Sequence, residues 1–181
     1  LAKTDEEGEA YKALIEKDAG LYERLSRHAV DKQIPFDSVF LYLTPRCNLN
    51  CPICYESCDA DKSEMSLEEV RAYVGGFRGR MMVLGGREPT CHPDLFEIIR
   101  IANERNHSRL LTNGIKLADE RYVERLKEAG LQGVIFSFNG FRDDIYERMN
   151  GRPLLAVKMR ALENLRRARI PTALSVTLAR G

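Results

Sequence analysis

The chain has 181 residues, 44% hydrophobic and 30% charged, which is enough for one ordinary domain with a sizeable core. A net charge of +1 excludes an electrostatic case for nucleic acid or an anionic membrane surface. No apolar stretch approaches the roughly 20 residues a spanning helix needs, and the acidic, polar start at Leu1–Gly8 does not read as a secretory signal.

Residues 1–35 read as a polar N-terminal extension. Asp18 is a candidate cap for a helix running to about His28, and Pro35 marks a break. Residue 1 is not Met, and the chain stops just after a strand-like run; both point to a piece of a longer protein. From 36 to 181 the pattern becomes regular. Apolar runs at Val39–Leu43, Met81–Leu84, Leu110–Thr112, Val134–Phe138 and Ala173–Leu178 alternate with helical segments. The runs are continuous rather than alternating, which predicts strands covered on both faces. Ser66-Leu67-Glu68-Glu69 is a capping-box sequence opening a helix with Val70, Tyr73 and Val74. Pro93 suits the start of the next, with Leu95, Ile98, Ile99 and Ala102 on one face. Asp119 can cap a third, stopped by Gly130. A short helix at Asp143–Met149 precedes a longer one opened by Pro153, with Leu155, Met159 and Leu162 expected to face inward.

Strand–helix–strand repetition implies an α/β fold of parallel strands. Five strands are too few for a closed eight-stranded barrel, so the expectation is a partial, open (β/α) barrel or a doubly wound sheet. In either, ligands gather at the carboxyl ends of the strands. Those ends carry Cys47, Cys51 and Cys54 after the first strand, Gly85-Gly86-Arg87-Glu88-Pro89-Thr90 after the second, Thr112-Asn113-Gly114 at the third, and Ser137-Phe138-Asn139-Gly140 at the fourth. Glycines let backbone approach a ligand closely. Glu88 can accept hydrogen bonds from an ammonium group, and Ser137 and Asn139 can bond a carboxylate or a sugar hydroxyl.

The three cysteines form C-x3-C-x2-C. Thiolates select zinc or iron–sulfur clusters, and three close thiolates can hold three corners of a four-iron cluster while leaving one iron open for chemistry. The chain has five cysteines; an odd number, four of them between positions 47 and 58, is a poor disulfide framework and fits a reducing cytoplasm. Cys58 extends the run to C-x3-C-x2-C-x3-C and keeps two other readings open, an electron-transfer iron–sulfur module and a zinc-stabilised binding domain. Cys91 reads as a small buried residue and His92 as structural.

The chain resembles the radical S-adenosylmethionine (radical SAM) enzymes over about residues 37–181. Cys47-x3-Cys51-x2-Cys54 followed by Tyr55 is similar to their cluster signature, and Gly85-Gly86-Arg87-Glu88-Pro89 to their second-strand Gly-Gly-Glu-Pro motif. Tyr22-Glu23-Arg24, Arg152-Pro153-Leu154-Leu155-Ala156-Val157-Lys158 and Thr177-Leu178-Ala179-Arg180-Gly181 are similar to segments of the branch containing tetraether lipid synthases and pterin methylases. The resemblance implies that Cys47, Cys51 and Cys54 ligate a [4Fe-4S] cluster whose fourth iron is chelated by S-adenosylmethionine. It implies that Gly85, Gly86 and Glu88 hold the methionine amino group, that backbone near Tyr55 meets the adenine, that Ser137 and Asn139 contact the ribose or the methionine carboxylate, and that Pro89, Thr112 and Asn113 belong to the cofactor site. An external donor such as flavodoxin or ferredoxin would reduce the cluster, and the substrate would be a small molecule, lipid or peptide. Two positions depart from the pattern: Arg87 stands where a second glycine is usual, and Asn139 where many members have Asp.

Overall fold

The computed structural model describes residues 38–54, 63–77 and 79–178, all within the unit Asp37–Gly181. The expected extension over 1–35 with its Asp18-capped helix, together with Tyr55 and Cys58, lies outside the described residues. Five parallel strands form one open sheet in sequence order: β1 (Ser38–Tyr42), β2 (Met81–Gly85), β3 (His107–Thr112), β4 (Val134–Ser137) and β5 (Thr172–Ser175). Each return passes through helix: α1 (Leu67–Gly76), α2 (Leu95–Asn103), α3 (Glu120–Glu128), then α4 (Asp143–Asn150) and α5 (Leu155–Ala168). This is the expected α/β partial barrel. Among the described residues no helix is long and apolar enough to cross a membrane.

Local chemistry sets the boundaries. At α1 the Ser66 side chain accepts from Glu69 N–H while the Glu69 carboxylate accepts from Ser66 N–H, so two orphan donors are satisfied reciprocally. Asp119 caps α3 by accepting from Arg121 N–H. α4 ends at Gly151, which takes the left-handed conformation a side chain resists, φ 80°.

Two expectations are corrected. The strands are not covered on both faces. Met82, Leu84, Leu110, Val134 and Phe136 enter the core with α1, α2 and α3, whereas Phe40, Arg109 and all of β5 are exposed. β3 alternates buried and exposed residues along its first half, because it begins three residues earlier than its apolar run, at the polar His107-Ser108-Arg109. The inward face of α5 is also one residue out of phase with the reading from sequence. Leu154, Lys158, Ala161 and Leu165 are buried, while Met159 is exposed and Leu155 and Leu162 only partly covered. The physical reason is that Lys158, a charged residue, occupies a core position of the helical stripe.

Candidate functional site at the strand ends

The loop after β1 is stitched to the loop after β2 by backbone. Leu43 N–H donates to Gly85 O (2.9 Å), Arg87 N–H to Thr44 O (3.1 Å) and Glu88 N–H to Arg46 O (3.0 Å). Gly86 makes this approach possible. Its φ is +127°, and a Cβ there would lie 2.6 Å from Thr44 O, a backbone atom that cannot swing away. Arg87 follows immediately, partly buried, and its charge favours the Cys47 thiolate. Gly86 is therefore a position where the backbone crossing demands glycine, and the arginine occupies a neighbouring position that tolerates a side chain. Buried Thr44 accepts from Arg46 N–H (3.1 Å) and donates to Glu64 (2.8 Å), and Arg46 closes a two-pronged ion pair with the same carboxylate.

Glu88 is fully buried. Its Oε1 accepts from Thr90 N–H (3.1 Å), Thr90 Oγ1 (2.6 Å) and Thr112 Oγ1 (2.7 Å), and its Oε2 accepts from Asn113 N–H (2.7 Å). A carboxylate with four donors needs no counter-charge in contact. In this structure it joins the end of β2 to the end of β3.

Asn113 is the hub. Its side chain donates to Asn48 Oδ1 (2.8 Å) and points a longer contact at Cys47 Sγ (3.9 Å), and its Oδ1 accepts from Ile115 N–H (3.0 Å). Gly114 turns the chain with φ +74°, where a Cβ would strike the Phe136 ring. Asn150, at the end of α4, donates to Cys51 Sγ (3.2 Å) and accepts from Asn139 Nδ2 (3.3 Å). Leu49 N–H donates to Cys47 Sγ (3.4 Å). Amide groups from the cysteine loop itself, the turn after β3 and the end of α4 thus face the sulfurs.

Cys47 and Cys51 are half-buried against a small apolar cluster of Leu49, Tyr146 and Leu154, and Cys54 is exposed. Burial pushes the Cys47 thiol up, opposed by the Leu49 N–H and Arg87. Among the described residues no three His, Cys, Asp or Glu side chains converge into a closed metal-binding group. The donor set nevertheless fits an iron–sulfur cluster: three free thiols on one open loop, with N–H groups directed at two of them, as cluster sulfurs require.

Two important residues escaped the reading from sequence. Lys158 is 1% exposed and donates to Asn113 O (2.6 Å) and Ser137 O (2.8 Å). Burial lowers its pKa to about 8, with Glu88 and Cys51 acting in the opposite direction. Asn150 is the other. The available signal for Lys158 was a lysine at a core position of the 154/158/161/165 spacing; Asn150 beside Gly151 reads as an ordinary helix end. Cys91 is partly buried with its thiol pushed up by burial and by Glu88. His92 is structural as expected: one ring nitrogen meets Met65 O (3.0 Å) and the other accepts from Asp94 N–H (3.1 Å).

A family model described as the radical SAM superfamily matches residues 41–181. The chain belongs to the radical SAM superfamily. It is an enzyme of a superfamily that uses S-adenosylmethionine with an iron–sulfur cluster. It is 36% identical over 77% of its length to 7,8-dihydro-6-hydroxymethylpterin dimethyltransferase of Methanocaldococcus jannaschii, of which it covers 29%. It is 31% identical over 79% of its length to PqqA peptide cyclase of Gluconobacter oxydans, covering 42% of that protein. The chain thus spans less than half the length of these curated relatives. Among solved structures, Streptococcus suis SuiB bound to precursor peptide SuiA superposes with a TM-score of 0.69 at 14% identity, over 88% of this chain and 39% of that one. The enzyme anSMEcpe with bound AdoMet superposes at 0.62 with 22% identity, over 77% of this chain and 43% of that one. At those identities the likeness is one of fold, and it matches the radical SAM partial barrel seen here.

Proposed function

We propose that this chain is the radical-generating core of a radical SAM enzyme, with Cys47, Cys51 and Cys54 holding a [4Fe-4S] cluster. The observation that carries the reading is the hydrogen-bonded set that joins the cysteine loop to the ends of β2 and β3 and to the end of α4: Arg87 N–H to Thr44 O, Glu88 to Asn113 N–H, and Asn113 and Asn150 to the cysteine sulfurs. When bound, the cluster supplies the electron that splits S-adenosylmethionine into methionine and a 5′-deoxyadenosyl radical, which takes hydrogen from a substrate carbon.

The residues of the chain bind and orient. The Gly85-Gly86 backbone and Pro89 form the cradle for the methionine amino group, and Gly86 keeps it free of a side chain. Glu88 shapes this cradle through Thr90, Thr112 and Asn113. Ser137 and Asn139 offer hydroxyl and amide groups to the ribose or the carboxylate, and backbone at Tyr55 meets the adenine. The cofactor carries the difficult chemistry, and the protein supplies placement and exclusion of competing reactants.

The substrate class is drawn from the pterin and tetraether-lipid branch, in keeping with the likeness to the pterin dimethyltransferase; the outcome would be carbon–carbon bond formation or methylation. A flavodoxin or ferredoxin in the cytoplasm would donate the electron. The test is anaerobic reconstitution with iron and sulfide. A four-iron paramagnetic signal altered by S-adenosylmethionine is expected, and Cys51→Ala should abolish cleavage of the cofactor. Full cleavage by that variant would refute the assignment.

A further inference from the structure

Lys158 is an anomaly for a helix that packs on a sheet. A lysine is rarely fully buried unless it is paired, yet here the ammonium lies at the carboxyl ends of β3 and β4 with 1% exposure. Its two direct acceptors are main-chain carbonyls, Asn113 O at 2.6 Å and Ser137 O at 2.8 Å. The ring centroids of Phe136 and Tyr146 lie 5.2 and 5.7 Å from it, within range of cation–π attraction. Tyr146 belongs to the same small apolar cluster on which Cys47 and Cys51 pack. Cys51 and Glu88 are the acidic groups whose fields reach the ammonium.

The bland interpretation makes Lys158 the counter-ion of Glu88. Asn113 does lie between the two ions, with its N–H given to the carboxylate and its carbonyl held by the ammonium. Glu88, however, already accepts four short hydrogen bonds from other groups. A buried positive charge is an expensive way to hold two carbonyls that water or an amide could satisfy. What a cation supplies and an amide does not is a field that extends to the sulfur loop in a medium of low dielectric.

We propose that Lys158 is a positioning and charge-tuning residue for the cluster, holding the Asn113 side chain toward the cysteine loop and easing the addition of an electron to the site above it. The proposal rests on the reading that Cys47, Cys51 and Cys54 hold a four-iron cluster. One electron from an external reductant enters, no bond forms or breaks, and the negative charge of the site rises by one. A buried cation nearby stabilises the reduced form more than the oxidised form, and net charge and hydrogen bonds to sulfur are among the levers that set cluster potentials. The charge also counters the depression of potential that three thiolates impose.

The experiment compares the midpoint potential of the reconstituted protein with that of Lys158→Met, by redox titration followed by electron paramagnetic resonance. Methionine matches the volume without the charge, and Lys158→Gln keeps an N–H donor for one carbonyl. The expected result is a potential shifted to more negative values in both variants, beyond the reproducibility of the titration, with the iron content of the wild type retained. A perturbed signal shape for Lys158→Met would report the loosened Asn113. Wild-type potential in either folded, iron-loaded variant overturns the proposal, and so does failure of both to fold, which would assign Lys158 to stability alone. The underlying reading fails separately: wild-type protein that gives no four-iron signal sinks the cluster, whatever Lys158 does.

Discussion

Asn113 shows how one residue can be specified from several sides. Glu88 holds its N–H, Lys158 its carbonyl, and Asn48 with the Cys47 sulfur its side-chain amide. In sequence an Asn-Gly pair is ordinary turn chemistry, and only the folded arrangement reveals two buried ions converging on it. Glu88 was legible as a motif residue, but its carboxylate faces inward rather than into open space. Replacing it tests that geometry. In Glu88→Gln the amide oxygen can keep the three donors now on Oε1, but the NH2 group then meets Asn113 N–H, donor against donor. Leaving one buried group unmatched, with charge-assisted bonds weakened, should cost about 1–3 kcal/mol, measured by chemical denaturation of the apo-protein. A Glu88→Gln protein as stable as wild type would show that the carboxylate is not engaged in this way.

At the scale of elements, chain punctuation was readable because it is local. The Ser66 capping box, the Asp119 cap and the apolar run of β2 are each written within a few residues, and each element forms where that chemistry predicts. The face of α5 was not. Two stripes compete on this helix, one of Leu154, Lys158, Ala161 and Leu165 and the other of Leu155, Met159 and Leu162. The lysine lowers the apolar character of the stripe that is buried, so hydrophobic spacing favours the stripe that is not. What decides is a partner remote in sequence, since the carbonyls of Asn113 and Ser137 accept the lysine. The corrected face makes a contrast. Leu165 is 1% exposed and Met159 45%, so Leu165→Ala should lose about 2–5 kcal/mol and Met159→Ala less than about 0.5 kcal/mol in the same denaturation assay. Equal losses would return the helix to the phase that its apolar spacing predicts.

Across the whole molecule, the hydrophobic core and the cysteine loop are separate structures. The main core runs through β1–β4, α1, α2, α3 and α5 and includes none of the described cysteines. Cys47 and Cys51 rest on the minor cluster of Leu49, Tyr146 and Leu154. Removing iron, or making the triple substitution Cys47→Ala, Cys51→Ala and Cys54→Ala, should therefore leave the far-ultraviolet circular dichroism of the fold unchanged and shift Tm by no more than about 2–4 °C, the equivalent of about 1 kcal/mol in a domain of this size. Collapse of the fold on iron removal would mean that the metal organises the barrel and not only the loop.

Sequence by itself determined the class of fold, the order of elements and the loop that carries the cysteine motif, because hydrophobic period, capping chemistry and a short run of cysteines are properties of neighbouring residues. Tertiary structure alone decided how the loops meet: that Gly86 is a glycine the crossing demands, that Glu88 turns inward to bind β3, that Asn150 reaches Cys51, and that a lysine from a distant helix lies beneath the site. Those facts depend on contacts between residues far apart in the chain, Cys51 and Asn150 being separated by 99 positions, and nothing in the local chemistry of either partner encodes the other.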